Sequence, residues 1–159
     1  MLQFNHNGFL TPPTIIQSTV SELEMEFVKN IPSHNRKLIF ENYLNYSDAL
    51  KAACKGKAFV QWVNGSFTTK KAEPGDIDIV SFVDYTLINN EAKLFAQFIY
   101  PNSETNFDVD GYIVPVYPHS HKLHFLYTSD RLDWLDRFNK TWLNRAGNRH
   151  PKGFLEIIY

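Results

Sequence analysis

Two short segments contain the residues of this chain best suited to chemistry. Gly65 and Ser66 follow one apolar run, and Asp76 and Asp78 directly precede another. Side chains alternate along a strand, so a strand here places both aspartates on one face. Two neighbouring carboxylates repel each other unless a cation lies between them, and a glycine-serine turn at a helix start offers N–H groups to phosphate oxygens. The pattern therefore predicts a metal ion beside a phosphate.

A third carboxylate is expected on a neighbouring strand. Two divalent ions can stabilise the entering and leaving oxygens of a phosphoryl or nucleotidyl transfer, and holding them commonly takes three carboxylates. The segment 107–110 offers Asp108 and Asp110, which would share one face of a strand. Spacing alone leaves both aspartates open as the third ligand.

Each half of this pattern also has a simpler interpretation. Residues 74–76 are typical of a turn with an acidic edge, and residues 64–66 of a hairpin tip. The two halves occur in this order between apolar strands and are followed by a third acidic segment. That combination favours a functional site over two unrelated turns.

Composition narrows the classes of protein to consider. The chain has 159 residues, 43% of them hydrophobic, and its net charge is −1. These values predict one globular domain over residues 1–159 and argue against a dedicated nucleic-acid binder, which usually carries a basic excess. The single cysteine excludes an internal disulfide and fits a reducing compartment. Without a signal peptide or an apolar run of membrane-spanning length, a cytoplasmic protein is expected.

The elements that must position these residues follow from periodicity and turn signals. The predicted helices begin near 14–18 and end at 28, and then cover 36–53 (bent or split near 45–48), 84–100 and 130–144. The predicted strands cover 58–63, 77–83, 107–116 and 123–127. The remaining segments are predicted to be an irregular start over 1–13, a basic loop over 145–152 and a closing apolar segment over 154–159. This order predicts an α/β (α+β) fold in which helices back a mixed central sheet.

Several side chains carry a predicted environment. The inner faces of the helices are expected to include Leu38, Trp134, Phe138 and Trp142, whereas Glu22, Glu24 and Glu26 are expected to be solvated. Lys70 and Lys152 are candidates for neutralising triphosphate charge, although a loop lysine is more commonly just solvated.

On these motifs the chain resembles the nucleotidyltransferase superfamily of the DNA polymerase beta type. The signature of that superfamily is Gly-Ser, a short spacer, Asp-x-Asp and a further Asp on a later strand. It appears here as Gly65-Ser66, Asp76-Ile77-Asp78 and Asp110 or Asp108. The chain is most similar to a group of small, largely uncharacterised bacterial and phage-associated domains, through the segments 4–10 (FNHNGFL) and 65–70 (GSFTTK) and the late pair Lys152-Gly153.

The resemblance implies a set of roles for these residues. Asp76, Asp78 and a third aspartate would hold Mg²⁺ or Mn²⁺, while Gly65 and Ser66 would contact the phosphates of a nucleotide. Asp110 is the favoured third ligand, because the acidic residue of the family leads directly into an apolar strand. The late Lys-Gly pair implies a nucleotide-binding role for Lys152.

The activity implied is metal-dependent transfer of a nucleoside monophosphate from a nucleoside triphosphate to an acceptor hydroxyl, on a protein or an RNA. The alternative is a non-catalytic binding or regulatory module with the same fold. Such a module would be one half of a toxin–antitoxin or phage-defence pair, with its partner protein encoded nearby. A purely structural α/β domain is the third interpretation, and none of the three involves a membrane.

Overall fold

The computed structural model describes residues 2–144 and 146–159. Its strands are β1 (Gln3–Phe4), β2 (Leu10–Thr11), β3 (Ile15–Gln17), β4 (Val60–Val63), β5 (Asp78–Asp84), β6 (Asp110–Val116) and β7 (Phe154–Ile158). Its α-helices are α1 (Val20–Glu24), α2 (His34–Ala53), α3 (Tyr85–Asn90), α4 (Ala92–Phe95), α5 (Asn102–Phe107) and α6 (His124–Phe138). A π-helical segment, Met25–Lys29, continues α1, and a 3₁₀ turn, Ala96–Phe98, continues α4.

Five of the strands form a mixed sheet in the order β3-β7-β4-β5-β6, which confirms the predicted α/β (α+β) fold. Strand β4 is antiparallel to both of its neighbours, and the pairs β3–β7 and β5–β6 are parallel. The parallel register sets Asp78 beside Asp110 at the first residue of each strand. Because parallel partners point to the same face, these two aspartates are adjacent at one edge of the sheet.

The two faces of the sheet have separate apolar cores. Helix α2 covers one face, where Tyr43 and Leu50 belong to the same buried cluster as Ile79 and Leu155. The other face carries the second cluster, which includes Trp62, Val80, Phe82, Val114, Phe138 and Phe154 and packs against α6. Asp78 has the same strand parity as Val80, so the acidic pair lies on the α6 face.

Buried Arg36 ties a loop to the start of α2. Its side chain is fully buried, and its guanidinium donates to the backbone carbonyls of Phe27 (3.1 Å), Phe67 (2.9 Å), Thr69 (2.7 Å) and Lys71. The guanidinium carbon also lies 5.5 Å from the ring centre of Phe67. A charge-assisted bond to a carbonyl is stronger than a neutral one, so Arg36 immobilises residues 67–71.

The segment before helix α2 differs from its prediction. The segment 1–13 is predicted to be irregular; Met1 lies outside the described residues, and within 2–13 the strands β1 and β2 form a two-stranded antiparallel ribbon. The helix predicted to begin near residues 14–18 begins only at Val20, since Ile15–Gln17 pairs with Phe154–Glu156 of β7. The β-branched side chains of Ile15 and Ile16 suit this strand, whose partner lies at the far end of the chain.

Helix α2 is continuous, and the predicted bend near 45–48 is wrong. Ser47 is buried within the helix, and its hydroxyl donates to the side chain of Gln61 (3.1 Å). Two predicted environments are also wrong. Leu38 is 43% exposed, whereas Glu26 is only 8% exposed, with Lys70 Nζ 3.7 Å from its carboxylate.

The second half contains three further corrections. The predicted helix over 84–100 divides at Glu91 into α3 and α4. Residues 124–127 form the first turn of α6 rather than an edge strand, because Tyr127, Trp134, Leu135 and Phe138 recur at helical spacing against the sheet. Helix α6 ends at Phe138, and Trp142, predicted to be internal, is 78% exposed in the following loop. Arg145 of the predicted basic loop lies outside the described residues.

The closing segment, predicted only as apolar, forms the interior strand β7. In the described part of the chain, each helix is too short or too polar to cross a bilayer.

Replacing Arg36 by methionine tests the role of its guanidinium. We expect the free energy of unfolding to fall by at least about 3 kcal/mol, because four backbone carbonyls, three of them in buried bonds, lose their donors. Lys37→Met, on the exposed side of the same helix turn, should change it by less than about 0.5 kcal/mol. Urea denaturation of both variants measures the difference. A loss below about 1 kcal/mol for Arg36→Met would contradict this account.

Candidate functional site

The turn after β4 is in direct backbone contact with the acidic segment. Gly65 has a φ of +83°, and a Cβ built on it would lie 2.8 Å from the carbonyl oxygen of Asp76 and 2.9 Å from the amide nitrogen of Asp78. The amide of Asn64 donates to the carbonyl of Asp78 (2.9 Å), and the amide of Phe67 donates to that of Asp76 (3.0 Å). Only glycine allows this approach, so the two halves of the motif form one unit.

Ser66 connects the turn to the first carboxylate. Its hydroxyl donates to Oδ1 of Asp76 (2.5 Å), and its backbone amide donates to the same oxygen (3.1 Å). The amide of Gly75 in turn donates to the Ser66 hydroxyl (2.8 Å). The turn therefore already binds an oxyanion, supplied by a side chain of the chain itself.

The predicted helix start after Ser66 does not form. The described residues 67–70 adopt a turn instead, in which the Thr69 hydroxyl donates to the Ser66 carbonyl (2.7 Å). Arg36 holds the carbonyls of this turn inside the protein. A helix dipole is consequently not part of this anion site.

Three aspartates lie close enough to perturb one another. Burial, together with the negative charges of Asp76 and Asp110, raises the pKa of Asp78 to about 7. Burial and then the charge of Asp76 also raise the pKa of Asp110. Each effect disfavours the ionised form, so the three ionised carboxylates together require a nearby cation.

Asp108 and Asp110 do not share a strand face, contrary to the sequence-based prediction. Helix α5 continues to Phe107, and Asp108 ends it in the left-handed conformation with a φ of +56°. The exposed carboxylate of Asp108 accepts a bond from the Asn42 amide (3.0 Å). Of the two candidates left open, the structure places Asp110 in register with Asp78.

The donor set for a cation is present, but a coordination sphere is not preformed. Within residues 2–144 and 146–159, no group of three His, Cys, Asp or Glu side chains is arranged to hold a metal ion. One carboxylate oxygen of Asp76 instead accepts both bonds from Ser66. Carboxylates are the ligands that Mg²⁺ prefers, so binding by all three aspartates requires their side chains to reorient.

Lys152 supplies an internal positive charge beside the carboxylates. Its side chain is buried, and its ammonium group donates to the carbonyl of Gly65 (2.6 Å). Burial lowers the pKa of Lys152 to about 8, while the charges of Asp78 and Asp76 oppose that shift. The predicted nucleotide-binding lysine thus contacts the turn itself and holds Gly65 in place.

Lys70, the other predicted lysine, lies against the N-terminal ribbon. Its Nζ is 4.0 Å from the ring centre of Phe4 and 3.7 Å from a carboxylate oxygen of Glu26. Its amide donates to the carbonyl of Gly8 (2.9 Å). Lys70 therefore anchors residues 5–9 beside the turn.

A cleft of about 870 Å³ opens over these groups. The turn, Asp76, Asp78 and Lys152 line it, together with residues 5–9 of the ribbon, the last turn of α6 and the loop after it. The added lining includes Tyr112, Trp134, Arg137, Lys140, Trp142 and His150. Its size is typical of a small-molecule binding site.

Sequence reasoning missed Arg36. No local sequence pattern marks this residue, because its carbonyl partners lie in two separate segments. Trp134 lines the cleft, although its helical spacing favours the inner face of a helix over a base-stacking surface. The segment 4–10 is one of those that carry the family resemblance, and residues 5–9 within it form one side of the cleft.

Replacing Gly65 by alanine tests the close approach of the glycine-serine turn to residues 76–78. Gly56 is a matched control, because its φ of +82° is within 1° of that of Gly65, but nothing lies within 4 Å of an added Cβ. Gly56→Ala should cost about 1 kcal/mol from backbone strain. Gly65→Ala should cost at least about 2 kcal/mol more, because it also displaces the backbone of residues 76–78. Equal losses of unfolding free energy in urea would contradict the proposed contact.

Comparison with known families, curated proteins and solved structures gives one match. No curated protein and no solved structure matches the chain. A family described as "Family of unknown function (DUF6932)" matches residues 2–158, which is nearly the whole chain. The chain therefore belongs to this family of unknown function.

Proposed function

We propose that this protein is a Mg²⁺-dependent nucleotidyltransferase that moves a nucleoside monophosphate from a nucleoside triphosphate to an acceptor hydroxyl. The observation that carries the proposal is the joining of Asp76, Asp78 and Asp110 to an anion-binding turn. Carboxylates for a cation and amides for an oxyanion, in contact with each other, are what a metal–triphosphate substrate needs.

Each group has a role in this proposal. Asp76, Asp78 and Asp110 would hold Mg²⁺ or Mn²⁺, which supplies charge neutralisation at the phosphates. When Asp76 turns from Ser66 toward the ion, the amide of Ser66 becomes free to bind a phosphate oxygen. The buried ammonium of Lys152 keeps Gly65 and this amide in position. The same side-chain rotation would thus provide the Asp76 ligand and free the phosphate site.

The reaction itself is a substitution at the α-phosphorus. The acceptor oxygen forms the new bond to phosphorus as the bond to pyrophosphate breaks, and the hydroxyl proton is released. Lys71, Arg137 and Lys140 line the cleft and suit the charge of the triphosphate, while Tyr112 and Trp134 offer aromatic surface for a base. The acceptor, on a protein or an RNA, would enter from the open side of the cleft.

A specific observation favours a second candidate function. The Asp76 carboxylate occupies the turn, and the described residues contain no preformed metal-ligand group. This arrangement also suits a binding or regulatory module without turnover, such as one half of a toxin–antitoxin or phage-defence pair. Its partner protein would then be encoded nearby. The cytoplasmic location expected from the sequence is part of both proposals.

Calorimetric titration of the protein with each of the four nucleoside triphosphates, in the presence of Mg²⁺, tests the site. We expect at least one triphosphate to bind, and binding to fall to background in Asp78→Asn. Asp84→Asn is the matched control, since it makes the same change at the opposite end of β5, and it should bind as the wild type does. If no triphosphate binds, the proposed function is wrong.

Pyrophosphate release then separates the two candidate functions. With Mg²⁺, the bound triphosphate and pools of RNA and protein acceptors, the enzyme should release pyrophosphate, and Asp78→Asn should not. Triphosphate binding without release in any pool would favour the regulatory module.

A further inference from the structure

A second cavity, of about 530 Å³, lies on the α6 face of the sheet and is distinct from the cleft. Among the described residues, none lines both the cavity and the cleft. It extends toward Asp84, the last residue of β5, whereas the cleft lies at Asp78, the first. A cavity of this size holds a small organic molecule.

The walls of this cavity are mostly apolar and aromatic. Trp62 and Phe82 lie against each other with ring centres 4.6 Å apart, and the ring of Tyr127 is 6.3 Å from that of Phe82. Val116 completes this side, and Ile158 borders the cavity with 66% of its surface exposed. An apolar ligand would cover the side chain of Ile158, which solvent now contacts.

The two acidic groups of the cavity already have partners. Glu156 accepts bonds from the Trp62 indole (2.6 Å) and from the side chain of Gln17. Asp84 accepts from Lys57 Nζ (3.0 Å) and from the amide of Thr86 (2.8 Å). Asp84 is thus paired with a lysine, and the oxygens of Glu156 are engaged by neutral donors.

Among the described residues that line the cavity, Arg131 is the cation. Its guanidinium carbon lies 5.0 Å from the ring centre of Trp62. Among the ion pairs of the described residues, none joins Arg131 to a carboxylate. A guanidinium held over an aromatic ring presents its N–H groups for bidentate binding of a carboxylate or sulfonate.

We propose that this cavity binds a small organic anion with an aromatic or branched aliphatic body. The anionic group would pair with Arg131, and the body would pack against Trp62, Phe82 and Tyr127 and cover Ile158. This inference is independent of nucleotidyl transfer, because it uses residues outside the acidic site.

A titration with 2-naphthoate tests the proposal, and 2-naphthamide is its neutral control. In ¹⁵N-labelled protein, 2-naphthoate should shift the indole N–H signal of Trp62 in a saturable manner. The amide has the same aromatic body without the charge, so it should bind at least about tenfold more weakly. Failure of 2-naphthoate to move the Trp62 signal, or equal affinity for the two probes, would overturn the proposal.

Two glutamine variants on α6 locate the anion. Arg131→Gln should weaken 2-naphthoate binding at least about tenfold. Arg137→Gln makes the same change in the cleft and should leave the titration of Trp62 unaltered. Wild-type affinity in Arg131→Gln, or an equal loss in both variants, would show that the cavity does not select anions through Arg131.

Discussion

Repulsion among three aspartates at one edge of the central sheet is the constraint on which the rest of this structure depends. The parallel register of β5 and β6 forces Asp78 and Asp110 together, and the Gly65 contact brings Asp76 to them. Such a grouping does not stabilise the folded protein, because burial and like charge both disfavour the ionised carboxylates. A grouping of this kind is typical of a functional site rather than of a structural core.

The surrounding groups offset that repulsion in different ways. Ser66 donates two bonds to Asp76, and Lys152 places a buried ammonium beside the carboxylates while it holds the Gly65 carbonyl. Arg36 fixes the loop that follows the turn from the other side of the sheet. Together these bonds keep the anion-binding amide in position with no ligand bound, which lowers the entropy lost on binding.

Local patterns in the sequence were enough to predict β5, most of α2 and the positions of the three candidate carboxylates. Apolar runs and turn residues mark these elements within a few positions. Strand β3 was not predictable in this way, because Ile15 pairs with a strand at the other end of the chain. The contact between Lys152 and Gly65 spans 87 positions, so the sequence indicated a functional lysine but not its partner. Asp108 was separated from Asp110 by a helix C-terminus that strand periodicity cannot reveal.

The central claim is that these aspartates and the turn form one metal–nucleotide site. Titration of ¹⁵N-labelled protein with Mn²⁺ and a non-hydrolysable ATP analogue tests it most directly, because Mn²⁺ broadens the signals of nearby amides. The account predicts that the amides of Gly65, Ser66 and Gly111 broaden first, and that the amide of Asp84, roughly 20 Å away along β5, broadens last. Broadening that begins elsewhere, or that is unchanged in Asp78→Asn, would contradict it.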